Sequence, residues 1–251
     1  MAKYKNTYIL EMSFLGFRYS GWQIMPGERT VEGMLQKTLS FIWGHQDFKT
    51  LGCGRTDAKV SAEQFFAQIN TDQIIDLSFL EILNQNLPND IYTKHISPKP
   101  IGYSVLSASK SKIYRYQFCV NSKRDVFKAS FAQHLKGEID LDKIREGLKV
   151  LSGKHNFSCF TVKNSNAKNT IRSLEVSALE YQAEKDLYFI EFKSSGFMRY
   201  QVRLMMGALV MMARGELTLD SLTEMLRSGQ GSIKSIAPGS GLVLQKVELA
   251  E

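Results

Sequence analysis

The stretch Leu51-Gly-Cys-Gly-Arg-Thr-Asp-Ala-Lys-Val-Ser-Ala62 decides how the rest of the chain is interpreted. Runs typical of β-strands flank it at residues 48–51 and 64–69, so the stretch itself is predicted to be a loop between two strands. Its glycines allow a tight turn and a close approach of the backbone to a ligand. Arg55 and Asp57 carry opposite charges two positions apart, so they can serve one site. On composition alone, an ordinary polar turn in which Asp57 bonds its own backbone is the simpler interpretation.

Further motifs occur along the chain on both sides of this loop. They are Tyr19-Ser-Gly-Trp-Gln23 with Thr30-Val31, Lys112-Ile-Tyr-Arg-Tyr116, Gly153-x-His-x-Phe157 with Phe160 and Thr170-x-Arg172, the segment 197–203, and Ala237-Pro238 with Gly241-Leu242-x-Leu244. Together with Gly-x-Gly-Arg-Thr-Asp-Ala-x-Val-x-Ala at residues 52–62, they resemble the TruA family of tRNA pseudouridine synthases, in the family's order and across nearly the whole chain. Because so many motifs agree in one order, the chain is identified as a divergent member of that family.

The resemblance implies a role for each of four residues. Asp57 matches the family's essential aspartate, which acts on the ribose as a nucleophile or as a base. Arg203 matches an arginine that pairs with this aspartate, and such a cation lowers the pKa of a carboxylate and holds its rotamer. Tyr114 matches the tyrosine that stacks on the target base. Arg55 matches a residue beside the flipped nucleotide, where a guanidinium can stack and grip phosphate together.

The chain departs from the family's usual residues around these four positions. Lys59 and Ser61 stand where the family most often has glycine and histidine. A glycine at the first position suggests a turn with positive φ, where Lys59 would be strained unless the backbone has relaxed into an ordinary turn. Other departures are Met25, Glu32, Gln201 and the segment 102–106. The departures therefore leave the reaction type better supported than the identity of the RNA.

Composition and charge set the class of protein. The 251 residues are 43% hydrophobic and 23% charged, as in an ordinary soluble globular protein, and no apolar run is long enough for a membrane span. The N-terminus leads into a strand pattern without a signal peptide, and the widely spaced Cys53, Cys119 and Cys159 indicate reduced thiols, so we expect a cytoplasmic protein. Cysteines and histidines show no ligand spacing, and the isomerisation of uridine to pseudouridine that the resemblance implies consumes no co-reactant, so we expect neither a metal nor a cofactor.

A net charge of +7 admits an RNA partner without requiring one. Cations cluster in two regions, interleaved in the first with tyrosines: Lys110, Lys112, Arg115, Lys123 and Arg124, and then Lys163, Lys168 and Arg172. Trp22 lies in a predicted loop, where it is either an exposed platform for a base or a ring tucked over the core. The candidate RNA-binding residues are Trp22, Lys59, Lys110, Lys112, Arg115, Arg172 and Arg199. A solvated basic face is the alternative for the cations.

Hydrophobic periodicity predicts an α+β fold. Strands and helices alternate as β-α-β-β-α-β up to about Tyr103, with a strand at residues 7–14 and a helix capped by Thr30. Prolines and a glycine at residues 98–102 mark a junction, so we divide the chain at 1–103 and 104–251. The second part is predicted to contain a strand at residues 113–120 and a methionine-rich helix at 198–214. Two ferredoxin-like or RRM-like halves then form a mostly antiparallel sheet with helices on the back and a central cleft, as the family does.

The resemblance implies an isomerase that converts uridine to pseudouridine in RNA, with tRNA as the expected substrate. The anticodon arm as target, and a homodimer that uses both subunits, are implied by the resemblance alone. Two related alternatives are a non-catalytic RNA-binding paralogue and a synthase with another RNA target. A hydrolase acting on a glycosidic bond would need a second carboxylate, and Glu63 is the one that stands near Asp57 in the sequence.

Overall fold

The computed structural model describes residues 3–76, 78–120, 126–162 and 169–250. It is a mixed α+β protein with mostly antiparallel strands, and the described residues contain six α-helices. The chain forms two compact units, the first made of Met1–Lys110 with Leu244–Glu251 and the second of Ser111–Val243. Among the described residues, no helix is both long and apolar enough to cross a membrane.

The first unit contains most of the elements predicted for the N-terminal half. They are β1 (Asn6–Phe14), α1 (Val31–Trp43), β2 (Phe48–Gly52), β3 (Ser61–Thr71), α2 (Phe79–Asn86), β4 (Ile91–Lys99) and the single turn α3 (Val105–Ala108). The Thr30 hydroxyl accepts a hydrogen bond from the Gly33 N–H at 3.2 Å, so the predicted cap of α1 is confirmed. Gly44, with a φ of 70°, ends this helix in the left-handed conformation.

The strands of the first unit pair around β1 and β3. β1 lies between β4 and β3 and is antiparallel to both, with Leu10 opposite Ile96 on one side and Ala67 on the other. β2 is also antiparallel to β3, with Leu51 opposite Gln68. Ile9, on the second face of β1, is 3% exposed, whereas the alternation of the sequence predicts a strand with only one buried face.

The second unit begins within β5. Its elements are β5 (Ser109–Val120), β6 (Gln133–Leu135), α4 (Leu141–Leu151), β7 (Gly153–Asn156), β8 (Ile171–Val176), β9 (Glu180–Gln182), β10 (Leu187–Ser194), α5 (Gln201–Ala213) and α6 (Leu219–Ser228). β5 pairs with β10, β10 with β8, and β8 with β7, all antiparallel. Eleven of the 13 residues of α5 are buried, as expected of a helix that is apolar on all sides. This helix carries Arg203.

The final strand, β11 (Leu242–Leu249), pairs with β3 and so adds the C-terminal segment to the first unit. The division predicted from the sequence, into residues 1–103 and 104–251, places this strand in the second half instead. The strand pattern predicts that a strand exists, but its partner lies about 180 positions away, as in the 3.1 Å hydrogen bond from the Val247 N–H to the Gln64 side chain. Sequence periodicity carries no information about such a distant partner.

Candidate active site

The loop that carries Asp57 joins two paired strands of the first unit, β2 and β3. Its residues alternate sharply in exposure: Thr56 and Val60 are buried, Asp57 is half-buried, and Arg55, Ala58 and Lys59 are exposed. The hydroxyl of Thr56 is buried, with no hydrogen-bond partner among the described residues. The loop therefore presents a carboxylate at the boundary between protein and solvent, beside an exposed guanidinium.

The segment after β1 holds the backbone of this loop at two places and the first side chain of β3 at a third. The Trp22 N–H donates to the carbonyl of Thr56 at 3.2 Å, and the Lys59 N–H donates to the carbonyl of Tyr19 at 3.0 Å. The Gly16 N–H donates to the Ser61 hydroxyl at 2.9 Å. These contacts bracket Asp57 on both sides, so the segment 16–22 fixes the loop that carries it.

Gly16 is required where these two segments meet. A Cβ atom at this residue would lie 1.9 Å from the carbonyl oxygen of Val60, far inside van der Waals contact with rigid backbone. The absence of a side chain lets the two backbones approach. The buried Ser61 hydroxyl accepts its hydrogen bond in the same place, so the residue that replaces the family's histidine has a structural partner here.

Lys59 has a φ of 66°, in the left-handed region. The expectation of a positive φ at this position is confirmed, and the alternative of a backbone relaxed into an ordinary turn is wrong. The Lys59 Nζ lies 5.5 Å from the centroid of the Phe17 ring, an exposed aromatic in the segment after β1. The ammonium group is therefore at the surface of the loop and not folded into the core.

Of the two interpretations of Trp22, the exposed platform is wrong and the ring packed over the core is confirmed. It is 2% exposed and packs on Phe65, with ring centroids 4.2 Å apart, and near Phe14 at 6.3 Å. Gly52 permits this packing, because a Cβ atom there would lie 2.6 Å from the indole nitrogen. A ring this deeply buried offers no face to a base, so Trp22 is removed from the candidate RNA-binding residues and assigned to the core beneath the loop.

The side chain of Tyr19, in the middle of the segment 16–22, anchors that segment to residues outside the loop. Its hydroxyl donates a short hydrogen bond to Asp90 and accepts one from Arg29 at 3.3 Å. Burial, followed by the bond to Asp90, raises the pKa of Tyr19 to about 12, so the phenol stays protonated at neutral pH. The carbonyl that receives the Lys59 N–H thus belongs to a residue tied into a charged network at the start of β4.

In the second unit, Tyr114 lies on the inner face of β5. It is 8% exposed and meets the Phe197 ring edge to face, with centroids 5.3 Å apart. Side chains alternate along a strand, so Lys112 shares this face and Arg115 lies on the opposite one. Arg115 bonds Glu191 on the neighbouring strand at 2.7 Å. Arg115 is also predicted to bind RNA, and two of its three nitrogens, Nε and Nη2, are bonded to Glu191.

Arg203 lies in the first turn of α5 and is bonded to the segment that follows α6. Its Nε–H donates to the carbonyl of Ala237 at 2.8 Å, and the Ala237 N–H donates to the carbonyl of Arg203 at 3.0 Å. Gly207 allows this approach, since a Cβ atom there would lie 1.9 Å from the carbonyl oxygen of Ser235. The Tyr116 hydroxyl on β5 lies 2.9 Å from the carbonyl oxygen of Pro238 in this segment and 2.6 Å from the Gln133 side-chain oxygen, the two acceptors for its one proton.

The remaining predicted cations lie at the surface. Lys110 is exposed near the start of β5, and Arg199 is exposed just before α5. Arg172 and Lys154 line a cavity of about 450 Å³ with Asn169, Ser173 and Gly196. Lys123, Arg124, Lys163 and Lys168 lie outside the described residues.

Two groups of predicted residues are therefore assembled, one in each unit. The first unit brings Arg55, Asp57 and Lys59 onto one clamped loop, and the second places Tyr114 on β5 and Arg203 on α5. The sequence did not single out the supporting roles of Gly16 and Tyr116. Both belong to or adjoin the motifs quoted above, but a close backbone approach and a bond to a distant carbonyl leave no periodic signal.

Comparison with known proteins gives the relationship directly. A family model described as tRNA pseudouridine synthase matches residues 148–248. The chain is 34% identical to the tRNA pseudouridine synthase A of Aquifex aeolicus, over 97% of this chain and 99% of that protein. It is 33% identical to the protein of the same name from Thermosipho melanesiensis, over 96% and 99%, and 29% identical to tRNA pseudouridine synthase A 2 of Bacillus cereus, over 97% and 99%. The chain therefore belongs to the TruA family of tRNA pseudouridine synthases.

Proposed function

We propose that this protein is a tRNA pseudouridine synthase, an isomerase that converts uridine to pseudouridine within the RNA chain. The observation that carries the proposal is the 34% identity to a tRNA pseudouridine synthase A over nearly the full length of both proteins. The exposed and half-buried groups of the loop at residues 55–59 supply the chemical part of the argument. They combine one carboxylate with two cations on a backbone that is clamped on both sides.

The reaction defines what the site must provide. The bond between N1 of uracil and C1′ of ribose breaks, the uracil rotates, and a bond forms between C5 and C1′, while C5 loses a proton and N1 gains one. The substrate and product have the same composition, so no co-reactant is consumed. The target base must leave the stack, at a cost of a few kcal/mol. A carboxylate is needed at the ribose, together with a flat wall that retains the freed base.

We assign these functions to the residues that match the family's motifs. Asp57 acts on the ribose, as nucleophile or base. Arg203 pairs with it and keeps it ionised, and Tyr114 stacks on the uracil. Arg55 lies beside the flipped nucleotide and contacts phosphate. The half-buried position of Asp57 supports its role, because a carboxylate that must meet a ribose needs access as well as a fixed backbone.

We propose the anticodon arm as the target, a homodimer as the working assembly and the cytoplasm as the location. The three free cysteines of the chain support a reducing compartment. We also propose the ferredoxin-like plan for each half, which the strand order β4-β1-β3-β2 supports in the first unit. The proposed RNA contacts, supported by their exposed or half-buried positions, are Lys59, Lys110, Lys112, Arg115, Arg172 and Arg199.

The test is direct. Purified protein is incubated with unmodified transcripts of several tRNAs, and pseudouridine is mapped at single-nucleotide resolution, with Asp57→Asn as the inactive control. We expect new pseudouridine in the anticodon arm with wild-type protein alone. Binding without modification would identify a non-catalytic paralogue. Modification confined to another arm, or to another RNA, would keep the reaction and overturn the target.

A further inference from the structure

Tyr200 adopts a backbone conformation that tyrosine rarely takes. It lies immediately before α5 with a φ of 62° and a ψ of 5°, in the left-handed region. For a residue with a side chain this conformation costs on the order of 1–2 kcal/mol relative to the right-handed one, and bulky residues seldom occupy it. Strain of this kind persists where the surroundings impose it, and it concentrates at functional sites.

The surroundings of Tyr200 do impose it. The Met198 N–H donates to the Gln201 side-chain oxygen at 2.9 Å, and the Gln201 N–H donates to the carbonyl of Met198 at 3.1 Å. The carbonyl of Tyr200 accepts the N–H of Leu204 at 2.9 Å. The turn is therefore closed on both sides of Tyr200. Gln201, which replaces the family's methionine, contributes one of the closing bonds.

Helix stability does not account for a tyrosine at this place. Tyr200 occupies the N-cap position of α5, but its side chain makes no capping hydrogen bond. Asparagine would tolerate the left-handed backbone at a lower cost than tyrosine does. The ring is half-buried, so it is not a core side chain either. The presence of a tyrosine at position 200 is therefore best explained by the contacts of its ring.

Those contacts are with two arginines. The guanidinium carbon of Arg203 lies 4.9 Å from the centroid of the Tyr200 ring, and that of Arg199 lies 5.0 Å from it. Arg199 also donates to the Tyr200 hydroxyl at 3.3 Å. Arg203 is thus held by two different kinds of contact, a hydrogen bond from Nε to Ala237 and the face of an aromatic ring. The hydrogen bond holds the Nε–H, and the ring restrains the guanidinium from one side, so the two contacts together limit its movement.

We infer that Tyr200 is a positioning residue, whose left-handed backbone brings its ring against the guanidinium of Arg203 and fixes the direction in which that cation points. The inference rests on the role proposed above for Arg203. Tyr200 itself contacts neither ribose nor base in this scheme. Its contribution is to reduce the number of orientations that Arg203 must lose before the reaction.

Two variants of Tyr200 separate positioning from packing. Tyr200→Asn removes the ring but accepts the left-handed backbone conformation, so we expect the variant to remain folded. We expect kcat to fall by about tenfold, the scale of a lost cation–π contact, with little change in the affinity for tRNA. Tyr200→Phe keeps the ring, so it should retain kcat within about twofold. Asp186→Gly is the control, because it relieves a left-handed residue (φ of 48°) elsewhere in the second unit and should leave kcat unchanged.

A second measurement does not depend on catalysis. In NMR spectra of protein labelled with nitrogen-15, the Arg203 Nε–H should exchange slowly with solvent in wild type and in Tyr200→Phe, because the ring at residue 200 lies against the guanidinium and keeps it bonded to Ala237. It should exchange at least several-fold faster in Tyr200→Asn. Wild-type kcat together with unchanged exchange in Tyr200→Asn would overturn the inference, and so would equal losses in both Tyr200 variants. If wild type makes no pseudouridine, the proposed function fails, and the exchange rates still decide whether Tyr200 positions Arg203.

Discussion

Arg203 and Ala237 are bonded to each other twice. The side chain of Arg203 donates to the carbonyl of Ala237 at 2.8 Å, and the Ala237 N–H donates to the carbonyl of Arg203 at 3.0 Å. Ala237 is 4% exposed, so its carbonyl would lose its partner in a protected environment if Arg203 were removed. The arginine proposed to support catalysis is therefore also a structural residue, and experiments on it must separate the two roles.

Arg203→Lys should lower activity by more than tenfold even though the positive charge remains. Lysine is a point charge and cannot bond Ala237 through an Nε–H while presenting a second donor in a fixed plane. Arg203→Ala should lower activity further and reduce the free energy of unfolding by about 1–3 kcal/mol, since a protected carbonyl is left without its donor. Chemical denaturation and steady-state kinetics measure the two effects.

The proposed pairing of Arg203 with Asp57 has its own test. If the two residues are partners, Asp57→Asn should recover part of the stability lost in Arg203→Ala, because removing both charges leaves neither unpaired. The double-mutant cycle is measured by urea unfolding at low salt. Strictly additive losses of stability would contradict the pairing while leaving the bond to Ala237 intact.

Asp57→Asn should abolish pseudouridine formation. The amide has nearly the same shape but can act neither as a nucleophile nor as a base at the ribose. Phosphate contacts carry most of the affinity for RNA, so the dissociation constant for tRNA should stay within about tenfold of wild type. Filter binding and pseudouridine mapping give the two quantities on one preparation. Turnover near the wild-type rate would remove Asp57 from its role.

Substitutions of Tyr114 separate its ring from its hydroxyl. Tyr114→Phe keeps the edge-to-face contact with Phe197 and the surface for stacking, so it should retain most of the activity. Tyr114→Ala removes the ring from a position that is 8% exposed, and should lose far more activity along with about 3–5 kcal/mol of stability. Single-turnover rates should be compared at a temperature where both variants are folded. Equal damage from both changes would shift the role to the hydroxyl.

The sequence predicts local structure in this protein better than it predicts partners. The cap at Thr30, the strands on either side of the loop and the left-handed backbone at Lys59 all follow from a few neighbouring residues. Trp22 and Arg115 were harder, because each has a pattern compatible with exposure. Their positions are decided by Phe65 and Glu191, which are 43 and 76 positions away. Composition within a loop or strand does not reveal a partner at that separation.

Two of the three described non-glycine residues with positive φ adjoin the proposed catalytic residues. Lys59 follows Asp57 by two positions, and Tyr200 precedes Arg203 by three; the third, Asp186, lies in a turn before β10. Both of the first two also place a side chain against an aromatic or cationic neighbour, Phe17 for Lys59 and Arg203 for Tyr200. At these two residues a strained backbone conformation is retained together with a defined side-chain position, as occurs at functional sites.

Lys59 provides the sharpest test of that argument. We expect it to make one phosphate contact, so Lys59→Gly should make the slope of log affinity against log salt shallower by roughly 0.7 to 0.9. Relief of the left-handed conformation gains about 1–2 kcal/mol, and the entropy of glycine in the unfolded chain offsets about 0.5–1 kcal/mol of it, so the variant should remain folded. Weaker binding could then not be ascribed to unfolding.

Two further variants isolate the charge of Lys59 from its backbone. Lys59→Asn tolerates the left-handed conformation without an ammonium group, and it should change the salt slope as much as Lys59→Gly does. Lys37→Gln removes an exposed cation from α1 in the same unit, and it should leave the slope as in wild type because a cation away from the loop meets no phosphate. Binding is measured by fluorescence anisotropy with labelled tRNA from about 50 to 200 mM salt, the range over which such slopes are resolved. If both Lys59 variants keep the wild-type slope and turnover, the lysine is a solvated loop residue, and its strained backbone has a cause other than RNA.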